Sequence, residues 1–566
     1  MKRTYLRWTF VGALALSFSC QEKSAPPSQA AIMALSLKRG QVITCGAGNQ
    51  QLGSVRFPIT GNQPAQEGFQ LGLKLLHSFE YDEAEKVFAK IIDQQPQCAM
   101  AYWGVAMANF HPLWTPPSEP ELKKGVKALA LAQSITEKSA RESAYLAALA
   151  VFYADWEKLD HYARCVRFEK AMEALHAQYP ADKEAAIFYA LALNAAAKPT
   201  DKEFKNQKKA GQLLAALYPN EPNHPGIIHY TIHTYDYPEL ATAALPAARK
   251  YAAVAPASAH ALHMPSHIFA RLGLWEECIK SNLASVASAQ CYAQEAGLKG
   301  HWDEELHGLD YLMYGYLQRG ENALAKKQLD YLQTVTTVSP QNFKVAYAFA
   351  AIPARYVLEN KLWAQAATLQ THQQDFPWAD FQWQKAIVHF TRLLGLAHTG
   401  KVAAAKTELA ELQGIQRGLV AQKDAYKASQ VEVQVKASEA WIQLQEGQAP
   451  EALNLMMQAA NLEDSTGKHP VTPSEVLPAR ELLGDMLMRL NKPKQALVAY
   501  EASLLKHPNR FNGLYGAGQA AEKSGDAAKA ELYYRQLLAV ANQAASNRPE
   551  LLVAQRFLNA RNRNAS

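Results

Sequence analysis

The stretch ARELLGDMLMRLNKPKQALVAYEASLLKHP, residues 479–508, contains the spacing that decides the fold. Gly484 is followed by Ala496 twelve residues on, by Tyr500 sixteen residues on and by Pro508 twenty-four residues on. Small residues let two helices cross closely, an aromatic ring fills the space beside them, and a proline ends the second helix. The stretch therefore predicts a pair of packed antiparallel helices.

The same spacing recurs elsewhere in the chain, while alternating β-branched runs are nearly absent. Two further copies start at Gly72 (with Ala84, Phe88 and Pro96) and at Gly518 (with Ala530 and Tyr534). These motifs resemble the 34-residue tetratricopeptide repeat. The resemblance implies an all-α fold: a right-handed superhelical solenoid of tetratricopeptide-type helical hairpins, with eight or more hairpins between about residue 65 and residue 545.

Composition and repeat phase divide the chain into five predicted segments. They are a signal peptide (1–19), a tether and irregular lead-in (20–64), an amino-terminal solenoid with a histidine-lined groove (65–330), middle helical hairpins (331–470) and a carboxy-terminal pair of repeats (471–566).

The amino terminus predicts export. A basic stretch, MKRTYLRW, precedes the apolar run TFVGALALSFS, which is too short to cross a bilayer as a helix. LSFSC resembles a bacterial lipoprotein cleavage box, and this implies a lipid anchor at Cys20 in the periplasm or cell envelope. Phe18 fits that box poorly, so simple secretion is the alternative. The lipid would be the protein's contact with the membrane.

Charge and cysteine usage narrow the function further. The formal charge is +6, about half of it in the leader, and no nucleic-acid-binding motif is present, so nucleic acid is not an expected partner. With Cys20 lipidated, five cysteines remain, an odd number. Three of them (Cys98, Cys165 and Cys278) lie on apolar helical faces and are interpreted as core residues, and the disulfide status of Cys45 and Cys291 is left open.

Histidines concentrate in one part of the repeat array. Six of the 17 fall within residues 224–267, and two pairs of them are in register. His229 and His233 lie 34 residues before His263 and His267, so both pairs occupy the same positions of adjacent hairpins. First helices of stacked hairpins lie ~10 Å apart, close enough for imidazoles of both to reach one point.

The next hairpin continues this face, with His307 and Asp310 at the positions of His260 and His263. Six side chains are therefore candidate ligands for zinc, iron, manganese or copper: His229, His233, His263, His267, His307 and Asp310. The remaining candidates are predicted to line a ligand-binding groove: His77, Trp103, His111, His260, Arg271 and Tyr314. Arg271 is a candidate for holding a carboxylate, although a packing role is the simpler interpretation.

Met264–Pro265 interrupts the helix that carries three of these histidines. Pro265 either kinks the helix or begins it, and in the second case His260 and His263 lie in the preceding turn. The second case weakens the shared-face argument most for His260.

Four segments also resemble a group of largely uncharacterised bacterial tetratricopeptide proteins: 99–108, 224–252, 260–275 and 478–490. The resemblance implies a superhelix that binds a protein, a peptide or a small ligand in its concave groove, with no established reaction. A metal-binding protein or metalloenzyme built on the histidines is the rival interpretation. An assembly scaffold whose histidines have no special role is the third. No hydrolase, nucleotide-binding or zinc-protease motif is present.

Overall fold

The computed structural model describes residue 1 and residues 26–46, 51–113, 115–198, 200–373, 375–543 and 545–565. The predicted leader after Met1 and the cleavage site at Cys20 lie outside these ranges. The described residues form an almost entirely helical chain, and this confirms the all-α solenoid.

A short helix, α1 (Gln29–Met33), precedes the helical hairpins. The first four hairpins are α2 (Gln63–His77) with α3 (Tyr81–Gln94), α4 (Ala99–Ala108) with α5 (Glu119–Ser134), α6 (Ala140–Tyr153) with α7 (His161–Gln178), and α8 (Lys183–Ala195) with α9 (Lys205–Leu217).

The next three hairpins contain the histidine-rich region. They are α10 (Pro225–Thr234) with α11 (Ala241–Val254), the broken helix α12 (Ala259–His263) and α13 (Pro265–Leu272) with α14 (Trp275–Glu295), and α15 (Asp303–Gln318) with α16 (Asn322–Thr334). Two short strands, β1 (His301–Trp302) and β2 (Val338–Ser339), pair in parallel with His301 opposite Val338.

Five hairpins and a last helix complete the array. They are α17 (Phe343–Glu359) with α18 (Trp363–Ala366), α19 (Gln382–His398) with α20 (Val402–Ala421), α21 (Ala425–Gln445) with α22 (Ala449–Thr466), α23 (Ala479–Arg489) with α24 (Pro493–Lys506), α25 (Phe511–Lys523) with α26 (Ala527–Val540), and α27 (Pro549–Ala565). A 3-10 turn, Trp378–Asp380, precedes α19.

The close crossing of two helices explains the spacing that recurs in these hairpins. A Cβ atom added to Gly72 would lie 2.6 Å from the ring of Phe88, and one added to Gly484 would lie 2.6 Å from the ring of Tyr500. Glycine is therefore required where the aromatic ring of the second helix crosses the first helix. The repeat phase read from residues 479–508 is confirmed.

Hairpin turns share a left-handed residue five positions before the small residue of the second helix. Glycine occupies this position in several turns, and Asn491 occupies it in the hairpin quoted above. In the first hairpin the residue is Phe79, with φ +58°. A left-handed conformation costs a residue with a side chain roughly 1–2 kcal/mol, so Phe79 occupies a position that favours glycine.

The described part of the lead-in packs against the solenoid. Leu52 and Phe57 are fully buried, and the Phe57 ring lies 5.2 Å from that of Phe69. Cys45 forms a disulfide with Cys291 at the end of α14. The three cysteines interpreted as core residues (Cys98, Cys165 and Cys278) are buried free thiols, as expected.

The superhelix winds tightly, so that distant hairpins touch. The first hairpin meets the fifth where Tyr230 contacts His77, and it meets the sixth where Ser258 donates to Glu80. Near the other end, the Trp275 indole donates to the backbone oxygen of Asn509 at 2.8 Å. No helix among the described residues is long and apolar enough to cross a membrane.

The linker between α22 and α23 occupies the inside of the superhelix. We call residues 468–477 the inner segment. Arg355 donates to the backbone oxygens of Ser474 and Glu475 at 2.7 and 2.8 Å, and Tyr311 donates to that of Val471 at 3.1 Å. The concave side near the histidines is therefore filled by the chain itself.

Candidate metal centre

Three histidines from α10 and α12 form what we call the first trio: His229, His233 and His260. One ring nitrogen of each lies within 4.8 Å of the other two. His229 and His233 are one helical turn apart, and their Nε2 atoms are 2.9 Å apart. The His260 ring lies 5.1 Å from that of His229, because α12 stacks beside α10 in the next hairpin.

Three histidines from α12, α13 and α15 form the second trio: His263, His267 and His307, also within 4.8 Å. The Nε2 atoms of His263 and His267 are 3.1 Å apart, and the His307 ring lies 4.2 Å from that of His263. Pro265 begins α13, so His263 closes one short helix and His267 lies on the next. The break at Met264–Pro265 leaves the two imidazoles facing each other.

The two trios form one continuous cluster. Across the boundary, His233 lies 6.2 Å from His267 and His260 lies 6.4 Å from His263, measured between ring centroids. The longest such spacing within each trio is 6.3 Å. The rings of the two trios are therefore as close to each other as the outer rings of one trio.

Hydrogen bonds on the far side of the second trio fix two tautomers. His263 Nδ1 lies 2.7 Å from the side-chain oxygen of Asn282, whose amide nitrogen donates to Cys278. His267 Nδ1 lies 3.0 Å from the carboxylate of Asp236, which also accepts from Arg271. Since both acceptors only accept, both Nδ1 atoms carry the proton, and the two Nε2 lone pairs face each other. A cation between them removes that repulsion.

In the first trio, a hydrogen bond fixes the tautomer of one histidine in the same way. His229 Nδ1 donates to the backbone oxygen of His77 at 2.6 Å, so the Nε2 of His229 is an acceptor, and it lies 2.9 Å from the Nε2 of His233. His260 Nε2 is buried and has no hydrogen-bond partner among the described residues. Ring nitrogens of two adjacent hairpins thus lie within 4.8 Å of one another.

Burial keeps these imidazoles neutral. Removal from water, reinforced by neighbouring histidines, holds the pKa of four rings well below the usual value of 6.5: His229, His233, His263 and His307. Burial also lowers the pKa of His267, although Asp236 opposes the shift. The neutral ring is the form that binds a metal ion.

One aromatic ring lies against each trio. Phe79 contacts all three rings of the first trio, at 4.3 Å from His229, 5.5 Å from His233 and 5.6 Å from His260. Tyr311 contacts all three rings of the second trio, at 4.7 to 5.5 Å. The left-handed backbone of Phe79 is what places its ring there, and strained residues of this kind concentrate at functional sites.

A third group of residues of the kinds that bind metals, His77, Glu184 and His224, satisfies its hydrogen bonds internally. The Glu184 carboxylate accepts from His77 Nε2 at 3.0 Å and from His224 Nε2 at 2.8 Å. The other ring nitrogens accept, from the Tyr230 hydroxyl at 3.0 Å and from the backbone of Ile227 at 3.4 Å. Burial alone would raise the pKa of Glu184, but the two histidines outweigh it and hold that pKa well below the usual range.

Five of the six predicted metal ligands lie in the two trios, and the sixth does not. Asp310 forms a buried ion pair with Arg355 at 3.1 Å. His260, predicted as a groove residue, takes the remaining place in the first trio. The shared face predicted from the repeat register is thus present, with His260 in place of Asp310.

The other predicted groove residues are distributed over the solenoid. His77 is buried against Glu184, Trp103 is 2% exposed within an aromatic core, and Tyr314 accepts from Arg510. His111 pairs with Glu121 near the surface at 3.1 Å. Arg271 does bind a carboxylate, that of Asp236 within the chain at 2.8 Å. These side chains pack and orient their neighbours and do not line an open groove.

Sequence reasoning missed the residues that orient the imidazoles. Asn282 and Phe79 lie outside the histidine pattern, and only the unusual residue in the turn of the first hairpin marks Phe79. Asp236 lies in the turn between α10 and α11, residues 235–240, which is longer than the turn of the first hairpin, residues 78–80, and that difference was the available signal.

No protein-family model matches the chain, and no curated protein matches it. Solved structures are similar at low identity: the APC/C hetero-tetramer Cut9–Hcn1 (12% identity, 88% of this chain and 90% of that chain, TM-score 0.30), the human IFIT1 dimer with m7Gppp-AAAA (10%, 83% and 95%, 0.32) and the P58(IPK) TPR domain (15%, 67% and 99%, 0.20). Such distant likeness carries no argument about function. The fold and the site define the chain as a tetratricopeptide-type solenoid with two histidine trios in its interior.

Proposed function

We propose that this protein binds transition-metal ions, copper or zinc, at the two histidine trios. The observation that carries the proposal is the pair of buried, unprotonated Nε2 atoms of His263 and His267, 3.1 Å apart. Two bare acceptors at that distance repel each other in a site shielded from water, whereas a metal ion accepts both lone pairs. Outer hydrogen bonds from Nδ1 to a carboxylate or amide oxygen are typical of metal-binding histidines.

The donor set favours particular metals. All six donor atoms are imidazole nitrogens, which suit zinc and copper, while manganese, magnesium and calcium prefer oxygen ligands. Three histidines per ion leave one coordination position for a further ligand, as in catalytic zinc sites. The proposal therefore covers two roles for the bound ions, storage of the metal and chemistry at the open coordination position.

Metal analysis of tag-free protein tests this proposal. We expect two copper or zinc ions per chain in the wild type, one in His229→Ala, one in His263→Ala and none in the double variant. His389→Ala is the matched control, because His389 is also buried and bonded to a carboxylate, Glu408, at 2.7 Å but lies outside both trios. It should keep both ions.

Loss of metal must be separated from loss of fold, so each variant is also compared with the wild type by circular dichroism. Wild-type protein that takes up no copper or zinc after supplementation with either ion contradicts the proposal. Two ions retained in a folded double variant contradict it equally.

We also propose that the protein is exported and anchored by a lipid at Cys20. The basic and apolar leader supports export, and the disulfide between Cys45 and Cys291 agrees with an oxidising compartment. Cys20→Ser should move the protein from the membrane fraction to the soluble envelope fraction. Wild-type protein that is soluble from the start would support simple secretion.

Helical-repeat solenoids commonly bind proteins or peptides on their curved surfaces. The second trio is buried, and the inner segment packs against Tyr311 beside it, whereas His233 and His260 of the first trio are half-buried. A partner would have to displace that segment to reach the second trio, so we assign the function to the metal ions rather than to a groove contact.

A further inference from the structure

Resting on the proposed function, we propose that the two trios form one dinuclear copper centre that binds dioxygen between its two metal ions. The inference deepens the metal assignment by naming the metal, its oxidation state and the ligand. It rests on the continuity of the two trios, the charge around them and the size of the space beside them.

The two trios are close enough together to form one centre. The rings of His233 and His267 are as close to each other as the outer rings within a trio, and no side chain other than histidine is needed to connect the two sets. Each ion would keep one position that its own trio does not fill. A ligand that spans both ions is therefore favoured over two ligands bound independently.

Charge favours copper(I) over a divalent ion. The charged side chains nearest the imidazoles balance one another: Asp236 pairs with Arg271 at 2.8 Å and Lys468 at 3.5 Å, and Lys344 pairs with both Asp303 at 2.6 Å and Glu304 at 2.5 Å. Three carboxylates thus meet three cations, and further buried charge without a partner is costly. Two copper(I) ions bring half the positive charge of two zinc ions into this site, and copper is among the metals that imidazole binds.

The space beside the centre selects a small ligand. Phe79 and Tyr311 lie against the two trios, and a small cavity reaches His307 between Lys344, Tyr347 and Thr472. Val471 and Thr472 of the inner segment form part of its wall, so the space at this end of the second trio suits a small ligand. Dioxygen is small and neutral, and copper(I) is able to reduce it.

The binding step balances without a further reactant. Each copper(I) gives one electron, dioxygen accepts two and becomes peroxide bound to both copper(II) ions, and no proton is taken up. Loss of dioxygen returns one electron to each copper. The copper–oxygen bonds are the only bonds that form and break.

Anaerobic loading with copper(I) tests the inference on the full chain. Protein stripped by a chelator receives two equivalents of copper(I) and is then exposed to dioxygen. We expect an intense near-ultraviolet charge-transfer band that disappears under argon, one dioxygen per two coppers, and no copper(II) paramagnetic signal, because the two ions are coupled. His233→Ala should bind a single copper and lose the band, whereas His389→Ala should keep it.

The two proposals fail in different ways. If two coppers bind but oxygen yields isolated, paramagnetic copper(II) or no band, the dinuclear inference is wrong and the metal function stands. If zinc fills both trios and copper(I) does not bind, the dinuclear inference is also wrong while the metal function stands. If neither metal binds, both proposals fall.

Discussion

Two groups of buried histidines in this solenoid lie side by side and differ in one respect. In the group of His77, Glu184 and His224, a carboxylate accepts from both rings, and every ring nitrogen has a partner. In the second trio, the oxygen acceptors are bound to the outer nitrogens, and the inner nitrogens of His263 and His267 face each other. The first group satisfies its ring nitrogens within the protein, whereas the second is one of the two groups to which we assign a metal ion.

Histidine content alone therefore does not identify a metal site. What separates the two groups is where the acceptors lie. A carboxylate placed between two imidazoles makes a structural network, while acceptors placed behind the imidazoles aim bare lone pairs at a common point. The group of His77 is connected directly to the first trio, because the backbone oxygen of His77 accepts from His229.

Metal removal should produce the largest difference between the groups. An ion bound only to the folded chain stabilises it by about 4 kcal/mol per site at a free concentration 1,000 times Kd. We expect chelation to lower the midpoint of thermal unfolding of the wild type by many degrees and to leave that of the His229→Ala/His263→Ala variant unchanged. Equal shifts in both proteins would contradict the assignment.

Acid should destabilise the metal-free protein next most strongly. The pKa of all five buried histidines in the trios with resolved shifts lies below the unfolded value of about 6.5, so the unfolded chain binds more protons as the pH falls below that value. Each contributes a loss of up to about 1.4 kcal/mol per pH unit. Burial raises the pKa of Glu80 to about 7 and also raises the pKa of other buried carboxyl groups, so these have the opposite sign: Asp303, Asp310, Glu463 and Glu481. Six histidines outside the trios also have a pKa lowered by burial and add to the loss: His77, His161, His372, His398, His469 and His507.

Denaturant unfolding of the metal-free protein between pH 7 and pH 5 measures how the free energy of unfolding changes with pH. Bound metal should delay the loss to lower pH, because protons then compete with the ions for the same nitrogens. A free energy of unfolding that is flat over this range would show that the imidazoles are not held neutral.

Glu184→Ala should separate stability from metal binding. Removal of this carboxylate leaves two buried imidazole N–H groups without an acceptor, which costs about 1–3 kcal/mol for each group. We expect a loss of about 2–6 kcal/mol in the free energy of unfolding with two metal ions retained. Glu173→Ala is the control, because Glu173 pairs with Lys209 at the surface. Loss of both ions in folded Glu184→Ala protein would contradict the assignment, because it would show that metal binding depends on the group of His77, Glu184 and His224.

Asn282→Ala should have the smallest effect, confined to one trio. The change removes the acceptor that fixes the tautomer of His263, and such outer contacts are worth 10–100-fold in metal affinity. Isothermal titration should show one weakened site and one unchanged site. Equal weakening of both sites would indicate a general loss of packing.

Repeat spacing was enough to predict the fold. The offsets from Gly484 specify a helix crossing that only glycine permits, and the same offsets place His229 and His233 above His263 and His267. Those predictions depend on local geometry repeated at 34 residues, which one chain shows directly.

Repeat spacing could not predict the contacts between distant hairpins. Asp310 matched the register, but Arg355 of the next hairpin pairs with it, and His260 takes the metal-ligand place. Superhelical winding also puts Val471 of the inner segment against Tyr311, 160 residues earlier in the chain. Spacing along a sequence fixes neighbours within a repeat and leaves open which side chains meet across the superhelix.

Anomalous diffraction from crystals of tag-free protein tests the central claim most directly. The account predicts two metal peaks at the copper or zinc edge, each about 2.0–2.1 Å from three nitrogens, one in the first trio and one in the second. A metal-replete crystal with its only peak beside Glu184, or with no peak at either trio, would contradict it.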